Sequence, residues 1–301
     1  MREIGGYHEL DLRSDGICPI DGVRLNSGRN ALRYIVKSMG INKLYVPYFT
    51  CHTVHDALKE EGCVVEHYKL GPDFFPEVPL PSDTYIVYNN YFGCTGKLVD
   101  EMAVRYPNLI VDHCQALYAK PRGIASFYSP RKFFGLPDGG IAVLCRSGGF
   151  EIEEQDHSVE RMKHLLLRID YDAPTGYADC KKAALRGFPV RRMSKLTQAL
   201  MGNLDYESAR NRRLANFSYL HKVLKAPLAN QIAADDVPMV YPLETEDADL
   251  RERLIAHKIY IAKYWPNCLA NAELSDRIVA LPLDQRYGQS DMDRILEVIY
   301  G

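Results

Sequence analysis

A lysine set among aromatic residues is the first candidate for chemistry in this 301-residue sequence. Lys132 lies in the segment FYSPRKFFGLPDGG (127–140), with Ser129 three residues before it and an Asp-Gly-Gly turn after it. Most lysines in such surroundings lay the carbon chain on the rings and keep the ammonium group in water. A lysine that is withdrawn from water loses its proton more easily, and the neutral amine is a nucleophile. Lys132 is therefore a candidate for covalent catalysis.

Two further polar features accompany this lysine. Asp112 ends the apolar stretch LIVD, and Gln115 follows it at the distance of about one helical turn. The segment LNSGR (25–29) begins a helix candidate, whose backbone N–H groups and dipole can hold a phosphate, and Gly28 permits close approach. Each feature alone is a weak signal, because aspartate and Asn-Ser-Gly sequences are common in caps and turns.

Together the three features meet the requirements of one cofactor, pyridoxal phosphate. This cofactor needs a lysine to form a Schiff base, an acid beside its pyridine nitrogen and an anion site for its phosphate. A carboxylate in a poorly solvated site favours the protonated ring by Coulomb attraction and a charge-assisted hydrogen bond. We therefore predict that Lys132 forms the Schiff base and that Asp112 keeps the ring nitrogen protonated.

The elements that must position these residues follow an α/β pattern in the first two thirds of the chain. Helix patterns cover 27–40 and 50–62, and a glycine ends each of them. Nearly continuous apolar stretches, typical of strands buried on both faces of a mostly parallel sheet, lie at 43–49, 63–70, 84–90, 108–114 and 140–145. In such a sheet flanked by helices, ligands bind beyond the carboxyl ends of the strands.

The pattern changes after about residue 150. Long amphipathic helices are predicted at 151–172 and 193–226, and a terminal helix at 289–301. Short strands are predicted at 237–244, 259–266 and 278–284. We predict a large α/β domain over residues 1–205 and a smaller α+β domain over 206–301.

Composition excludes several other classes of protein. The chain has 37 Lys and Arg against 39 Asp and Glu with no block of like charge, which disfavours a nucleic-acid or polybasic membrane-surface partner. Neither a signal peptide nor an apolar stretch long enough to span a bilayer is evident, so we expect a cytoplasmic location and no membrane partner. The eight cysteines form no CxxC pair, and the cluster Cys51, His52 and His55 lacks a fourth ligand, so no metal site is predicted.

The sequence also resembles a known family over nearly its whole length. The segments that carry the likeness, in the family's order, are SGRNAL, VPYFT, VDHCQA, SPRKFFGLPDGG, RRMSKL and YWP…LPLD. They are similar to the sugar aminotransferases of the DegT/DnrJ/EryC1/StrS type, which are fold type I pyridoxal-phosphate enzymes. The D-x-x-Q element and the lysine followed by D-G-G are the most specific parts. The resemblance implies that Asp112 pairs with the pyridine nitrogen, Gln115 contacts the ring-oxygen side and Lys132 carries the cofactor.

The resemblance also implies a setting for the site. Fold type I enzymes form their active sites at a dimer interface, so a homodimer with shared active sites is expected. The segments IGGYHEL, LNSGRNAL, NNYFG and FYSPRKFFG resemble a shorter branch that is associated with bacterial capsule and surface-polysaccharide gene clusters.

The phosphate side departs from the family pattern at two positions. Arg29 replaces the family's threonine after Gly28, next to Ser27, and its longer cationic side chain either forms a salt link to phosphate or points elsewhere. Phe127 stands where the family has a hydroxyl group, and we favour Ser129 over Ser126 as the phosphate ligand.

Other departures affect the ring and the subunit interface. Cys51 stands where the family has the aromatic residue that stacks on the ring, so Tyr48, Phe49 or His52 would have to cover it. Val190 replaces the family's asparagine that reaches the neighbouring subunit's phosphate, which would pass that role to Arg191 or Arg192; Arg192 is the residue we assign. Asn90 and Tyr91, at another strand end, are candidates for contact with the cofactor or substrate. Trp265 either packs on a sugar or nucleotide or anchors the two domains.

The sequence therefore predicts a pyridoxal-phosphate-dependent aminotransferase. The resemblance implies that it moves an amino group from glutamate or glutamine to a keto-sugar carried on a nucleotide, in surface-polysaccharide biosynthesis. Two alternatives stay open. The same residues support another reaction at the substrate's Cα, such as that of a lyase or racemase, and a non-catalytic relative would keep the fold as a binding protein.

Overall fold

A seven-stranded sheet organises the first half of the chain. The computed structural model describes residues 7–145, 148–183, 187–266, 268 and 270–301. The strands are β1 Val23–Leu25, β2 Lys43–Pro47, β3 Val64–Tyr68, β4 Tyr85–Asn89, β5 Leu109–Asp112, β6 Ala125–Tyr128 and β7 Gly140–Leu144. Their spatial order is β1-β7-β6-β5-β4-β2-β3. Only β7 runs antiparallel to its neighbours, so β2 to β6 end at the same edge.

Helices cover the sheet and build the rest of the chain. They are α1 Gly28–Ser38, α2 His52–Glu60, α3 Gly96–Arg105, α4 Lys163–Asp170, α5 Ala173–Lys182, α6 Lys195–Gly202, α7 Tyr206–Leu224, α8 Leu250–Ala256, α9 Ala272–Arg277 and α10 Gln289–Tyr300. The first helix begins where the Ser27 hydroxyl accepts a hydrogen bond from the Asn30 N–H (3.1 Å). Its inner face carries Leu32 and Ile35, both fully buried, and each such side chain contributes about 1.5–3 kcal/mol.

Residues 206–301, here called the C-terminal segment, add a second, smaller sheet. Strands β8 Val240–Glu244 and β9 Ile278–Pro282 pair antiparallel. One hydrophobic cluster contains side chains from both parts of the chain, among them Phe49 and Tyr91 with Phe217 and Tyr241. The core is thus continuous across residue 205, and the domain boundary placed there stays a prediction.

Three predictions about elements were wrong. Residues 259–266 form no strand, because the backbone is irregular and Trp265 adopts a left-handed conformation (φ 49°), which an extended strand does not allow. Residues 151–172 are not one helix: Asp156 accepts a hydrogen bond from the Asn26 amide (2.9 Å) and pairs with Arg161 (3.2 Å), and α4 begins only afterwards. The helix predicted over 193–226 is two helices, since Asp205 caps a new start at α7.

Other elements were missed. The elements that were not predicted from the sequence are β1, β6, α3, α5, α8 and α9. The strands β1 and β6 have only three and four residues, too few for a pattern, whereas α3 does carry an apolar face, formed by Leu98, Val99 and Met102. Among the described residues, no helix is both long enough and apolar enough to cross a membrane.

Candidate active site

The register of three central strands brings the main candidates to one edge of the sheet. Asn89 of β4 lies opposite Asp112 of β5, and Asp112 lies opposite Phe127 of β6. Because these strands are parallel, the residues that follow them, including Gln115 and Lys132, lie along the same edge. The Asp112 carboxylate is almost buried and accepts a hydrogen bond from the Cys114 N–H (2.8 Å).

The start of α1 is packed against this edge by steric fit at Gly28. A Cβ atom there would lie 2.9 Å from Cys114 Sγ and 3.3 Å from Ser129 Cβ. Only glycine therefore lets the helix N-terminus approach the loops that follow β5 and β6. The backbone N–H groups of an α-helix N-terminus form a natural anion site, and here Ser27 and Ser129 flank it.

The Asp-Gly-Gly turn after Lys132 holds the same helix start from the other side. A Cβ atom at Gly140 would lie 2.1 Å from the Ser27 carbonyl oxygen, and the Gly139 N–H donates to the Asn26 carbonyl (2.9 Å). The buried Asp138 carboxylate accepts hydrogen bonds from the Ser194 N–H (3.0 Å) and hydroxyl (3.1 Å). Asp138 is therefore a structural residue that fixes the start of α6 next to the lysine segment.

Lys132 ends a short 3-10 turn (Pro130–Lys132), and its side chain reaches solvent. The protein around the amine nevertheless removes part of its water, which by itself would lower its pKa. Electrostatic interaction with Cys114 and Asp112 acts in the opposite direction, and the pKa of Lys132 lies above its ordinary value. Burial likewise raises the pKa of Asp112, and the Lys132 charge opposes that rise. The lysine and the aspartate thus act on each other electrostatically across the edge.

Two buried donors near this edge lack protein partners. Gln115 accepts a hydrogen bond from the Phe92 N–H at Oε1 (2.8 Å), but its Nε2 has no partner among the described residues. Arg29 Nε is also buried and has no hydrogen-bond partner among the described residues. Buried polar groups in native proteins are nearly always paired, so these two donors can serve a bound group or a water molecule.

The two serines proposed for the phosphate differ clearly. The Ser126 hydroxyl donates to the Arg122 carbonyl (2.9 Å) and accepts from the Arg122 N–H (3.0 Å), so its capacity is used. Phe127 is buried in the core. Ser129 precedes the 3-10 turn without capping it and lies beside Gly28, and its role as the phosphate ligand stays a prediction.

Two of the aromatic candidates for the cofactor ring, Tyr48 and Phe49, contact other rings of the protein, and the place of any of the candidates over the cofactor stays a prediction. Phe49 is fully buried and packs against Tyr91 (ring centroids 5.8 Å apart) and Trp265 (4.7 Å). Tyr48 stacks on His67 at 5.0 Å with the rings 19° from parallel. Trp265 is partly buried and packs against this aromatic core, and its contact with a sugar or nucleotide stays a prediction.

Asn90 and Arg192 also have other partners within the chain. The Asn90 amide donates to Asp236 Oδ1 (2.9 Å), and its oxygen accepts from the Thr95 N–H (3.0 Å). The Arg192 guanidinium donates to the Glu153 carbonyl (2.8 Å) at the surface. Asn90 thus stabilises the loop after β4, and its assignment as a cofactor ligand stays a prediction. The contact of Arg192 with a second subunit stays a prediction.

Sequence reasoning missed two residues of the C-terminal segment that lie near the lysine. Burial raises the pKa of Tyr264, and the charges of Lys132 and Arg213 oppose that rise. Its ring packs against Phe92 (5.5 Å), whose N–H binds Gln115. Arg213 contacts the residue after Lys132. A single arginine in an amphipathic helix carries no sequence signal of such a role.

A separate cavity of about 760 Å³ lies between α4, α5 and the C-terminal segment. None of the predicted site residues is among the described residues that line it. The site at the strand ends is therefore identified by its chemistry and register, and not by this cavity.

Comparison with known proteins agrees with the predicted fold class. No family model matches the sequence, and no curated protein does. Solved structures match closely in shape. DesV of S. venezuelae, solved in complex with a ketimine intermediate, is 18% identical, with a TM-score of 0.64 over 94% of this chain and 85% of DesV.

Two further structures give the same result. A DegT DnrJ EryC1 StrS aminotransferase from Brucella abortus is 18% identical, with a TM-score of 0.60 over 93% of this chain and 85% of that protein. NtdA from Bacillus subtilis, solved with bound cofactor PMP, is 14% identical, with a TM-score of 0.63 over 92% of this chain and 72% of NtdA. The chain therefore has the fold of the DegT/DnrJ/EryC1/StrS-type sugar aminotransferases, as predicted from its sequence.

Proposed function

We propose that this protein is a pyridoxal-phosphate-dependent aminotransferase. The observation that carries the proposal is the convergence of Lys132, Asp112 and Gln115 with the start of α1 at one edge of the sheet. The structural neighbours support the same chemistry, since one of them is an aminotransferase and another was solved with bound PMP.

The residues present fit this cofactor. Asp112 would lie at the pyridine nitrogen, and the unpaired Gln115 Nε2 would donate to an oxygen on the ring. The N-terminus of α1, with Ser27, Gly28 and Ser129 around it, would hold the phosphate. Arg29 Nε is a buried donor without a partner and suits an anion. When bound, the cofactor supplies an electron sink for the substrate's Cα.

The chain's own groups then have separate tasks. Lys132 is the amine that holds the cofactor and, once free, moves a proton at the substrate's Cα. Asp112 holds a proton at the ring nitrogen, because a buried carboxylate favours an adjacent cation. The hydrogen bond from the Cys114 N–H orients that carboxylate and favours its ionised form.

The substrates belong to the proposal as well. The neighbours that are sugar aminotransferases support a keto-sugar acceptor, and the sequence resemblance suggests a nucleotide-linked sugar with glutamate or glutamine as the amino donor. A role in surface-polysaccharide biosynthesis and a homodimer that shares its active sites, with Arg192 reaching the partner, stay predictions. The cytoplasmic location expected from the sequence is also untested.

The decisive experiment asks whether Lys132 binds the cofactor covalently. Protein purified with pyridoxal phosphate should be yellow, and borohydride reduction should fix the cofactor to Lys132, as located by peptide mass spectrometry. Lys132→Ala should abolish the adduct. Lys120→Ala, at an exposed lysine of the same region, should keep it. A colourless wild type, or an adduct that survives in Lys132→Ala, would refute the proposal.

A second measurement separates the aminotransferase from other reactions at Cα. Glutamate or glutamine should convert the yellow protein to the pyridoxamine form, with loss of the visible band and release of a keto acid. A yellow protein that no amino acid converts would instead favour a lyase, a racemase or a binding protein.

A further inference from the structure

One charged side chain behind the lysine segment is almost completely buried. Arg213 of α7 is 2% exposed. Burial lowers its pKa to about 10, so it is still charged at neutral pH. The nearby acid Asp284 is bonded to Arg286 (2.7 and 2.8 Å). Arg213 thus keeps its charge inside the protein among neutral acceptors.

The hydrogen bonds of Arg213 join three parts of the chain. Its Nε donates to Gln285 Oε1 (2.8 Å), and its Nη1 donates to the carbonyls of Pro238 (3.2 Å) and Met239 (3.1 Å). Its Nη2 donates to the carbonyl of Phe133 (3.3 Å), the residue directly after Lys132. The guanidinium also lies over the Phe133 ring, 4.5 Å from its centroid.

Gln285 completes this arrangement. Its Nε2 donates to the same Phe133 carbonyl (2.9 Å), so that one oxygen accepts from both side chains of the C-terminal segment. The Phe133 and Phe134 N–H groups bond back to the Pro130 carbonyl, each at 3.0 Å. The turn that carries Lys132 is therefore held by its own backbone on one side and by Arg213 and Gln285 on the other.

Stability alone does not explain a buried arginine here. Replacing buried charged groups with apolar side chains of similar volume is often neutral or stabilising, because burial of a charge carries a large desolvation penalty. A planar group with several fixed donors, however, can hold a backbone carbonyl and a ring in one orientation. The geometry thus suits the placement of the neighbouring amine.

We propose that Arg213, with Gln285, is a positioning residue that sets the direction of the Lys132 amine. The inference rests on the proposed role of Lys132. Condensation of this amine with the cofactor's aldehyde forms a C=N bond and releases one water, and this step depends on the position of the amine. Non-covalent binding of the ring and phosphate depends on Asp112, Gln115 and the start of α1 instead. Loss of Arg213 should therefore weaken the covalent bond and spare non-covalent binding.

The test compares two ligands on the full-length protein. Pyridoxamine phosphate, which cannot condense with a lysine, reports non-covalent affinity by fluorescence titration. Pyridoxal phosphate reports covalent bonding by its visible band and by the mass of the borohydride-reduced protein. Arg213→Met keeps apolar contact with Phe133 but removes the donors. Arg212→Met is the matched control, since Arg212 is the exposed neighbour on the same helix.

We expect Arg213→Met to lower the equilibrium constant for covalent bonding by roughly tenfold or more, because a poorly directed amine has a lower effective concentration at the cofactor's aldehyde. The affinity for pyridoxamine phosphate should change less than about threefold, the size of effect that a substitution away from the ligand usually has. Arg213→Lys should restore little of the covalent bonding, because lysine lacks the planar guanidinium group with its several fixed donors. Gln285→Leu retains the Arg213 cation and should cause a smaller loss of covalent bonding with unchanged affinity for pyridoxamine phosphate. It serves as the test variant if Arg213→Met fails to fold.

The outcomes are distinct. Equal losses for both ligands would show a merely structural role and overturn the inference, as would an unchanged covalent constant in Arg213→Met or in Gln285→Leu. A wild type that binds neither ligand would overturn the proposed function itself.

Discussion

Two groups of candidate residues have different surroundings in this structure. The strand-end group, Asp112, Gln115, Ser129 and Lys132, converges with the start of α1 at one edge of the sheet. The outer group, Tyr48, Phe49, Asn90 and Arg192, is engaged with other protein groups. The first group is placed by backbone register and glycine contacts, which leave few alternatives. The second depends on side-chain rotamers and partners, which a local sequence does not determine.

The largest effect should come from the charge of Asp112. Asp112→Asn removes the negative charge that would stabilise a protonated ring nitrogen and keeps the size of the side chain. We expect the rate of conversion by an amino donor to fall by roughly a thousandfold, within the usual range for loss of an acid or base group. Stopped-flow absorbance of the yellow protein measures it.

Asn90→Ser provides the control from the outer group. Its donor rate should stay within about threefold of wild type, even if the loop becomes less stable. A large fall in the rate of conversion for Asn90→Ser, or an unchanged rate for Asp112→Asn, would contradict the division into the two groups.

The second effect concerns the phosphate turn. Gly28→Ala places a methyl group 2.9 Å from Cys114 Sγ and 3.3 Å from Ser129 Cβ, so the start of α1 must shift. We expect pyridoxamine phosphate to bind about a hundredfold more weakly, because a shift of this size disrupts several hydrogen bonds to one phosphate at once. Gly135→Ala is the control, since its Cβ meets only a leucine side chain, at 3.4 Å. Equal affinity for pyridoxamine phosphate in the two variants would show that the start of α1 does not bind the phosphate.

How much of this could be predicted from the sequence follows the same division. Asp112 and Gln115 follow one parallel strand, Lys132 follows the next, and the Asp-Gly-Gly turn begins the antiparallel strand β7. The topology of the sheet alone therefore brings them to one edge. The aromatic cluster around Phe49 depends on Trp265, which lies more than two hundred residues away and adopts a left-handed backbone conformation. The role of Arg213 likewise depends on carbonyl groups that only the folded chain brings near it.

The third effect tests why Asn90 belongs to the outer group. Burial raises the pKa of its partner Asp236 to about 6, although the Ala233 N–H, the Asn90 amide and the Gly96 N–H all donate to it. The folded protein therefore binds a proton between the ordinary aspartate pKa and 6, while the unfolded chain does not. The free energy of unfolding gained from this proton is present at low pH and is lost as the pH rises through 6.

The measurement is urea unfolding of the wild type and Asp236→Asn. From about pH 4.5 to about pH 6.5, the stability of the wild type should fall by about 2 kcal/mol relative to the variant. The pH-independent loss of a hydrogen bond in Asp236→Asn cancels in this difference. Parallel curves would mean that Asp236 is ionised throughout the range and that its burial does not raise its pKa.

The smallest effect should come from Tyr48. Its ring stacks on His67, so Tyr48→Leu should lower the free energy of unfolding by about 1 kcal/mol, the usual contribution of an aromatic pair. Pyridoxamine phosphate affinity should change less than about threefold, because the ring has a partner other than the cofactor. His67→Ala should lower stability similarly and leave affinity unchanged. If Tyr48→Leu instead weakens binding tenfold and His67→Ala does not, then Tyr48 covers the cofactor ring and belongs with the strand-end group.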